Sequence, residues 1–127
     1  RNVLTVGDVT VSDVMTPRTD IQAVPATVTL EGLKAHIIEQ RHTRIPVYGA
    51  SLDHVEGFLH IKDLFGMIAG DVPFDIRKAM RPMLFVPPSM RVLDLLVKMR
   101  RLGSHMAIVV DEHGGTDGLV TLEDVFE

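Results

Sequence analysis

Few residues in this 127-residue chain have the types and spacing to do chemistry. Near its end, Gly118-Leu119-Val120-Thr121-Leu122-Glu123-Asp124 reads as a buried strand running into a helix through a threonine. Thr121 can cap that helix, so that its hydroxyl and the first free N–H groups face an anion. Asp124 lies one turn on along the same face. Such a carboxylate can accept both hydroxyls of a ribose while the helix start takes a phosphate. The same Thr-x-x-Asp spacing is also a plain capping box, which holds a helix end and binds nothing. Arg44 stands just before the apolar run Ile45-Pro46-Val47, where its long side chain can snorkel to a cleft or simply lie on the surface. A guanidinium beside a helix start suits a phosphate.

The six histidines (36, 42, 54, 60, 105 and 113) invite a metal or acid–base reading. None falls in a His-Glu-x-x-His pattern or another ligand spacing. There is no nucleophile elbow and no phosphate-cradling glycine loop, and Gly114-Gly115 reads as a hairpin turn. The residues point to binding, with no catalytic site and no metal site.

The elements that must position these residues come in two copies. Val14-Met15-Thr16-Pro17 recurs as Ala79-Met80-Arg81-Pro82, 65 residues on, and Val24-Pro25 recurs as Val86-Pro87 at an offset of 62. Leu33 and Ile37 fall on Leu95 and Met99, and Arg44-Ile45-Pro46-Val47 falls on Met106-Ala107-Ile108-Val109, also at 62. Gly57 through Phe65 matches Gly118 through Phe126 at 61, which sets His60 on Thr121 and Asp63 on Asp124. Each copy predicts a short helix ended by Met-x-Pro, since proline lacks an N–H and disfavours helix in the residue before it. A brief strand follows, Ile21 to Val24 or Leu84 to Val86. Next comes a helix with one apolar stripe, Val92, Leu95, Leu96 and Met99, or Leu30, Leu33, Ile37 and Ile38. Two strands come after it, Ile45 to Tyr48 with Val55 to Leu59, and Ala107 to Asp111 with Asp117 to Val120. Glu112-His113-Gly114-Gly115 supplies the positive φ angles of the second hairpin. A last helix opens at Ile61 and at Leu122. The order strand, helix, strand, strand, helix predicts an α+β fold with helices on one face of each sheet. Neither copy buries much core alone, so the two should pack as a pseudo-two-fold pair.

Composition narrows the partners. Apolar residues make up 46% and charged residues 24%, with a net charge of −4. That balance argues against nucleic acid and against an anionic membrane surface, both of which want a basic face. The absence of cysteine excludes disulfides and thiolate metal sites and suits a reducing, cytoplasmic compartment. No apolar run approaches the roughly 20 residues of a membrane helix. With no initiating methionine or leader at Arg1, and with Glu127 inside a predicted helix, the chain reads as a piece of a longer protein.

Two copies of this layout resemble the CBS motif pair, or Bateman module, with motif 1 over 11–70, motif 2 over 75–127 and a linker over 1–10. Val14 to Ile21, His42 to Val47 and His105 to Glu112 look like the CorC/HlyC group associated with magnesium and cobalt efflux, whose eukaryotic relatives are the cyclin M transporters. The resemblance implies a regulatory module that takes AMP, ADP or ATP, with or without Mg2+, in a cleft between repeats. Its nucleotide set here is Thr16, Asp20, Ile21, Arg44, Ile45, Thr121, Leu122 and Asp124. Thr121 would meet phosphate or ribose, Asp124 the ribose hydroxyls, Arg44 the phosphates, and Thr16 to Ile21 the adenine. A pseudo-symmetric second cleft would use His60, Asp63, Met83 and Leu84. There His60 replaces the usual Ser or Thr, and Met106 replaces the arginine, so one good cleft is expected rather than two. A protonated His60 would meet a phosphate; a neutral one would merely start a helix. The resemblance also implies a homodimer through the CBS helices and a neighbouring transporter or CorC-type accessory domain. It fits the cytoplasmic part of an inner-membrane protein. A module that dimerises and binds no ligand is the alternative.

Overall fold

Parallel pairing of neighbouring strands needs a crossover long enough to bring the chain back, and each repeat has an 11-residue helix for it. A computed structural model describes residues 6–126. Its elements run α1 (Val11–Val14), β1 (Thr16–Pro17), β2 (Val24–Pro25), α2 (Leu30–Gln40), β3 (Arg44–Tyr48), β4 (Val55–His60) and α3 (Phe65–Ala69), then α4 (Ile76–Ala79), β5 (Leu84–Val86), α5 (Val92–Leu102), β6 (Met106–Val110), β7 (Thr116–Thr121) and α6 (Leu122–Val125). Single 3-10 turns cover Val6–Asp8, Arg18–Asp20 and Ile61–Leu64. Helix α2 carries the chain from β2 to the parallel β3, and α5 from β5 to the parallel β6. The antiparallel hairpins β3–β4 and β6–β7 follow, each with a register shift at the same place, after Val47 and after Val109. The expected α+β order is present in both copies.

The chain forms two compact units that cut across the repeats. One holds the chain up to Ile21 together with Leu84 onward; the other is Gln22–Met83. In the first, the strand order is β1-β7-β6-β5, with Thr16 opposite Leu119 and Pro17 opposite Gly118. In the second, the order is β2-β3-β4, and Arg81 bridges to Phe58 on the open side of β4. The head of each repeat thus completes the sheet of the other.

Two glycines explain why that exchange is possible. A Cβ on Gly118 would lie 2.5 Å from the Thr16 carbonyl oxygen and 2.6 Å from the Met15 sulfur. A Cβ on Gly57 would lie 2.5 Å from the Arg81 carbonyl oxygen and 2.6 Å from Met80 Cγ. Only a residue without a side chain lets the Met-x-Pro segment pass so close.

Burial follows the periodicities. Val11, Val86, Leu95, Met99, Ala107, Val109 and Val120 form the core of the first unit. Val24, Leu33, Ile45, Val47, Leu59, Leu64, Met67 and Ile76 form that of the second.

Some sequence expectations need correction. No strand spans Ile21 to Val24: the Ile21 N–H closes a 3-10 turn on the Arg18 carbonyl, and pairing begins only at Val24, opposite Val47. Ile38 is not part of the buried stripe but 70% exposed, because it lies about 100° round the helix from Ile37. In the β6–β7 turn only Gly114 has positive φ, at 81°. The turn is held instead by Asp111, whose Oδ1 accepts from the His113 and Gly115 N–H groups at 2.8 Å each. Of the expected linker 1–10, residues 1–5 lie outside the described residues. Residues 9–11 join the unit, with Thr10 bridged to Arg91 and the Val92 N–H donating to the Val9 carbonyl.

Gly118→Ala and Gly57→Ala should each destabilise the fold by about 1–3 kcal/mol in denaturant unfolding, the cost of overpacking against backbone. Unchanged midpoints would show that the crossing does not require glycine.

Candidate functional site

The two copies of strand-turn-helix end differently. At the end of β7, Thr121 caps α6: its Oγ1 accepts from the Asp124 N–H at 3.2 Å, and the Thr121 N–H donates to Asp124 Oδ2 at 3.2 Å. The plain capping reading is therefore realised. It does not exclude a ligand, since the cap uses one carboxylate oxygen and a carboxylate has about four acceptor sites. Nor does the box mark a site by itself. Asp13 Oδ2 accepts from the Thr10 N–H at 2.9 Å at the start of α1, with the same Thr-x-x-Asp spacing.

What sets Thr121 and Asp124 apart is their surroundings. Strand β1 lies alongside β7, so Thr16 and the turn Arg18–Asp20 share an edge with the strand that ends in Thr121. Arg18 fastens that turn, its Nη1 donating to the Thr116 carbonyl at 3.1 Å. The structure thus gathers Thr16, Asp20, Ile21, Thr121, Leu122 and Asp124 into one unit, with Asp20 exposed. Arg44 and Ile45 lie in the other unit, on β3, where Arg44 is the cross-strand neighbour of His60. The partner of Thr121 in the matching position is the buried Met106.

At the end of β4 the same chain positions carry other chemistry. His60 takes over the cap, its Nδ1 accepting from the Lys62 N–H at 3.2 Å. Burial lowers the His60 pKa, and the cations Arg44, Arg81 and Lys62 lower it further, against an opposing pull from Asp63. The lowered pKa favours the neutral ring, whose Nδ1 accepts the capping hydrogen bond.

Asp63 does not cap. It receives a two-pronged ion pair from Arg81, Nε to Oδ2 at 2.7 Å and Nη2 to Oδ1 at 3.1 Å. That hydrogen bonding holds the Asp63 carboxyl below its ordinary pKa. The pair is partly exposed, with the Arg81 and Asp63 side chains 40% and 30% accessible. Solvent screening limits such pairs to about 0–1 kcal/mol, so this one does little for the fold and much for the availability of Asp63. Among the described residues no cation pairs with Asp124. Asp63 and Arg81, with Met67, Lys78, Ala79 and Met80, line an open pocket of about 500 Å³. Met83 closes the Gln22–Met83 unit and Leu84 opens β5 in the other. Among the described residues no group of histidines and carboxylates could hold a metal ion, and no helix is long and apolar enough to cross a membrane.

Arg81 is the residue that sequence reasoning passed over. Its signal was present: it stands where the first copy has Thr16, in a repeat whose neighbouring Met and Pro are unchanged.

The repeated layout and its paired caps match one known domain. The CBS domain profile fits residues 11–70 and again residues 74–127. The chain is a CBS domain pair. It is 50% identical over 99% of its length to the hemolysin C homolog of Rickettsia rickettsii, but spans only 42% of that protein. It matches the CBS domain of the bacterial CNNM/CorC family Mg2+ transporter in complex with ATP at a TM-score of 0.86 and 42% identity, over 96% of this chain and 87% of that one. It also matches a CBS-domain pair with bound AMP from Klebsiella pneumoniae at a TM-score of 0.81 and 29% identity, over 93% and 95%. The pair therefore belongs with the CBS modules of the CorC/hemolysin C family.

By NMR the His60 ring should titrate below the ordinary value of about 6.5. Arg81→Thr should raise that midpoint, because it removes a repelling cation and frees Asp63. Folding lowers this pKa, so the unfolded chain binds the proton more readily. The stability His60 contributes is therefore present above about pH 6.5 and is lost as pH falls through the folded midpoint. A midpoint at or above the ordinary value, indifferent to Arg81, would contradict the described cluster.

Proposed function

We propose that this CBS pair is a regulatory module that binds an adenine nucleotide, within a protein associated with magnesium and cobalt efflux. The observation that carries the reading is the asymmetry of the two caps: among the described residues no cation pairs with Asp124, whereas Arg81 pairs with Asp63. Two similar structures support the ligand class, one holding ATP and the other AMP. Asp124 would accept the ribose hydroxyls through the lone pairs left by the cap. Thr121 and the first turn at Leu122 would meet a phosphate. Thr16 to Ile21, pinned by Arg18, would flank the adenine, with Asp20 at the exposed end of the turn. By the family resemblance Arg44 would meet the phosphates, with Ile45 beside it, and Mg2+ would arrive as the nucleotide's counterion. A bound nucleotide regulates only by favouring one arrangement of the module over another. The proposed recipient is a transporter or CorC-type accessory domain, and the proposed setting is cytoplasmic. No catalytic role, nucleic-acid partner or membrane insertion is proposed for the pair.

Thermal unfolding tests this directly. Nucleotide at about 100 times its dissociation constant should add roughly 2.7 kcal/mol to stability. Asp124→Ala should abolish that gain. Asp13→Ala, which breaks a cap of the same Thr-x-x-Asp spacing without touching the proposed site, should keep it while costing a cap energy of about 1 kcal/mol. If no adenine nucleotide, with or without magnesium, stabilises the chain, the binding reading fails.

A second reading, self-association, has its own observation. Phe65 and Phe126 occupy matching positions, 61 residues apart, at the closing helices of the two copies. They are 61% and 74% exposed. We propose a homodimer through these helices, with or without nucleotide. Light scattering should give a dimer mass for the wild type and a lower mass for Phe65→Asp/Phe126→Asp; an unaltered mass rules these helices out.

A further inference from the structure

We infer that Arg81 is a built-in occupant of the ribose position at Asp63, and that it limits the chain to one nucleotide. The inference rests on the nucleotide reading above and says what closes the second of two equivalent positions.

Placement makes Arg81 a fixed occupant rather than a passing surface contact. Its backbone is tied to β4 from both sides, with the Arg81 N–H donating to the Phe58 carbonyl at 2.8 Å and the Phe58 N–H donating to the Arg81 carbonyl at 3.0 Å. Gly57 allows that approach, as Gly118 allows the approach of Thr16 in the other unit. From this anchor the guanidinium meets both Asp63 oxygens. A ribose diol would present two neutral O–H donors to the same pair of oxygens. Two charge-assisted N–H donors in a planar fork hold a carboxylate more strongly than two neutral hydroxyls do. A diol must therefore displace a tethered guanidinium from both Asp63 oxygens before it can bind there. At the equivalent backbone position stands Thr16, which carries no cation, and among the described residues no cation pairs with Asp124, which closes its own cap. His60 adds a second obstacle, since its ring nitrogen, not a hydroxyl, holds the helix start. The substitution of Arg for Thr at one point of the repeat thus decides which unit can accept a nucleotide.

Calorimetric titration of the chain with Mg-ATP and with AMP tests this on wild type, His60→Thr, Arg81→Thr and the double variant Arg81→Thr/His60→Thr, each first checked for cooperative unfolding. The expected stoichiometry is one per chain for wild type and His60→Thr, and two for the double variant. Arg81→Thr alone should gain a weaker second event, and Arg81→Thr/Asp63→Asn should lose it again. This single-variant arm holds if the double variant fails to fold. One site in every Arg81 variant would overturn the inference while leaving the nucleotide reading intact. So would two sites in wild type, or in His60→Thr alone. No binding in any variant would overturn both readings.

Discussion

The feature on which the rest of this molecule depends is a backbone crossing with no room for a side chain. At Gly118 and again at Gly57, the Met-x-Pro segment of the opposite repeat lies so near the strand that a single added carbon would strike a carbonyl oxygen. Because the crossing is a pair of backbone hydrogen bonds in an apolar setting, it is satisfied only at that distance. Everything near the candidate site is referenced to it. It sets Thr16 opposite Leu119, two residues short of Thr121, and it sets Arg81 opposite Phe58, two residues short of His60.

Once the backbone is fixed in the same way twice, side-chain chemistry alone distinguishes the two positions. In the unit containing β7, a threonine hydroxyl caps the helix and a carboxylate closes the box, leaving acceptor capacity unused. In the unit containing β4, an imidazole nitrogen caps, and the carboxylate is given to a guanidinium. Both arrangements satisfy the helix end, so stability does not choose between them. Availability of the carboxylate does. The inherited symmetry of the repeat is thus broken at the point where a ligand would have to hydrogen-bond, while the cores stay nearly interchangeable: Leu33 matches Leu95, Ile37 matches Met99, and Val47 matches Val109.

Much of this was legible in the residue pattern. The repeat, the α+β order, the crossover helices and the Thr121–Asp124 cap follow from periodicity and proline placement, because those signals act over a few residues and the backbone obeys them locally. The errors were also local. The strand expected over Ile21 to Val24 shrank to its last residue, since the 3-10 turn Arg18–Asp20 closes on Ile21 and pairing begins only where Val24 reaches Val47. Ile38 went to the surface because a helix buries a stripe, and two consecutive residues cannot both face its centre. The β6–β7 turn drew its order from the Asp111 carboxylate as well as from glycine.

By itself the sequence determined that two homologous repeats exist, most of the residues that fill the cores, and which two carboxylates end the repeats. The tertiary structure alone decided that the head of each repeat belongs to the sheet of the other, and so which side chain stands beside each carboxylate. Asp63 and Arg81 are 18 residues apart, on different elements, and no local pattern couples them; their pairing arises only when Arg81 is bridged to Phe58. The physical reason is range. Periodicity and capping act through neighbouring residues, whereas the fate of a carboxylate depends on which charge the fold brings within about 3 Å of it. That distance separates the engaged Asp63 from the available Asp124, and with it two equivalent positions from one proposed site.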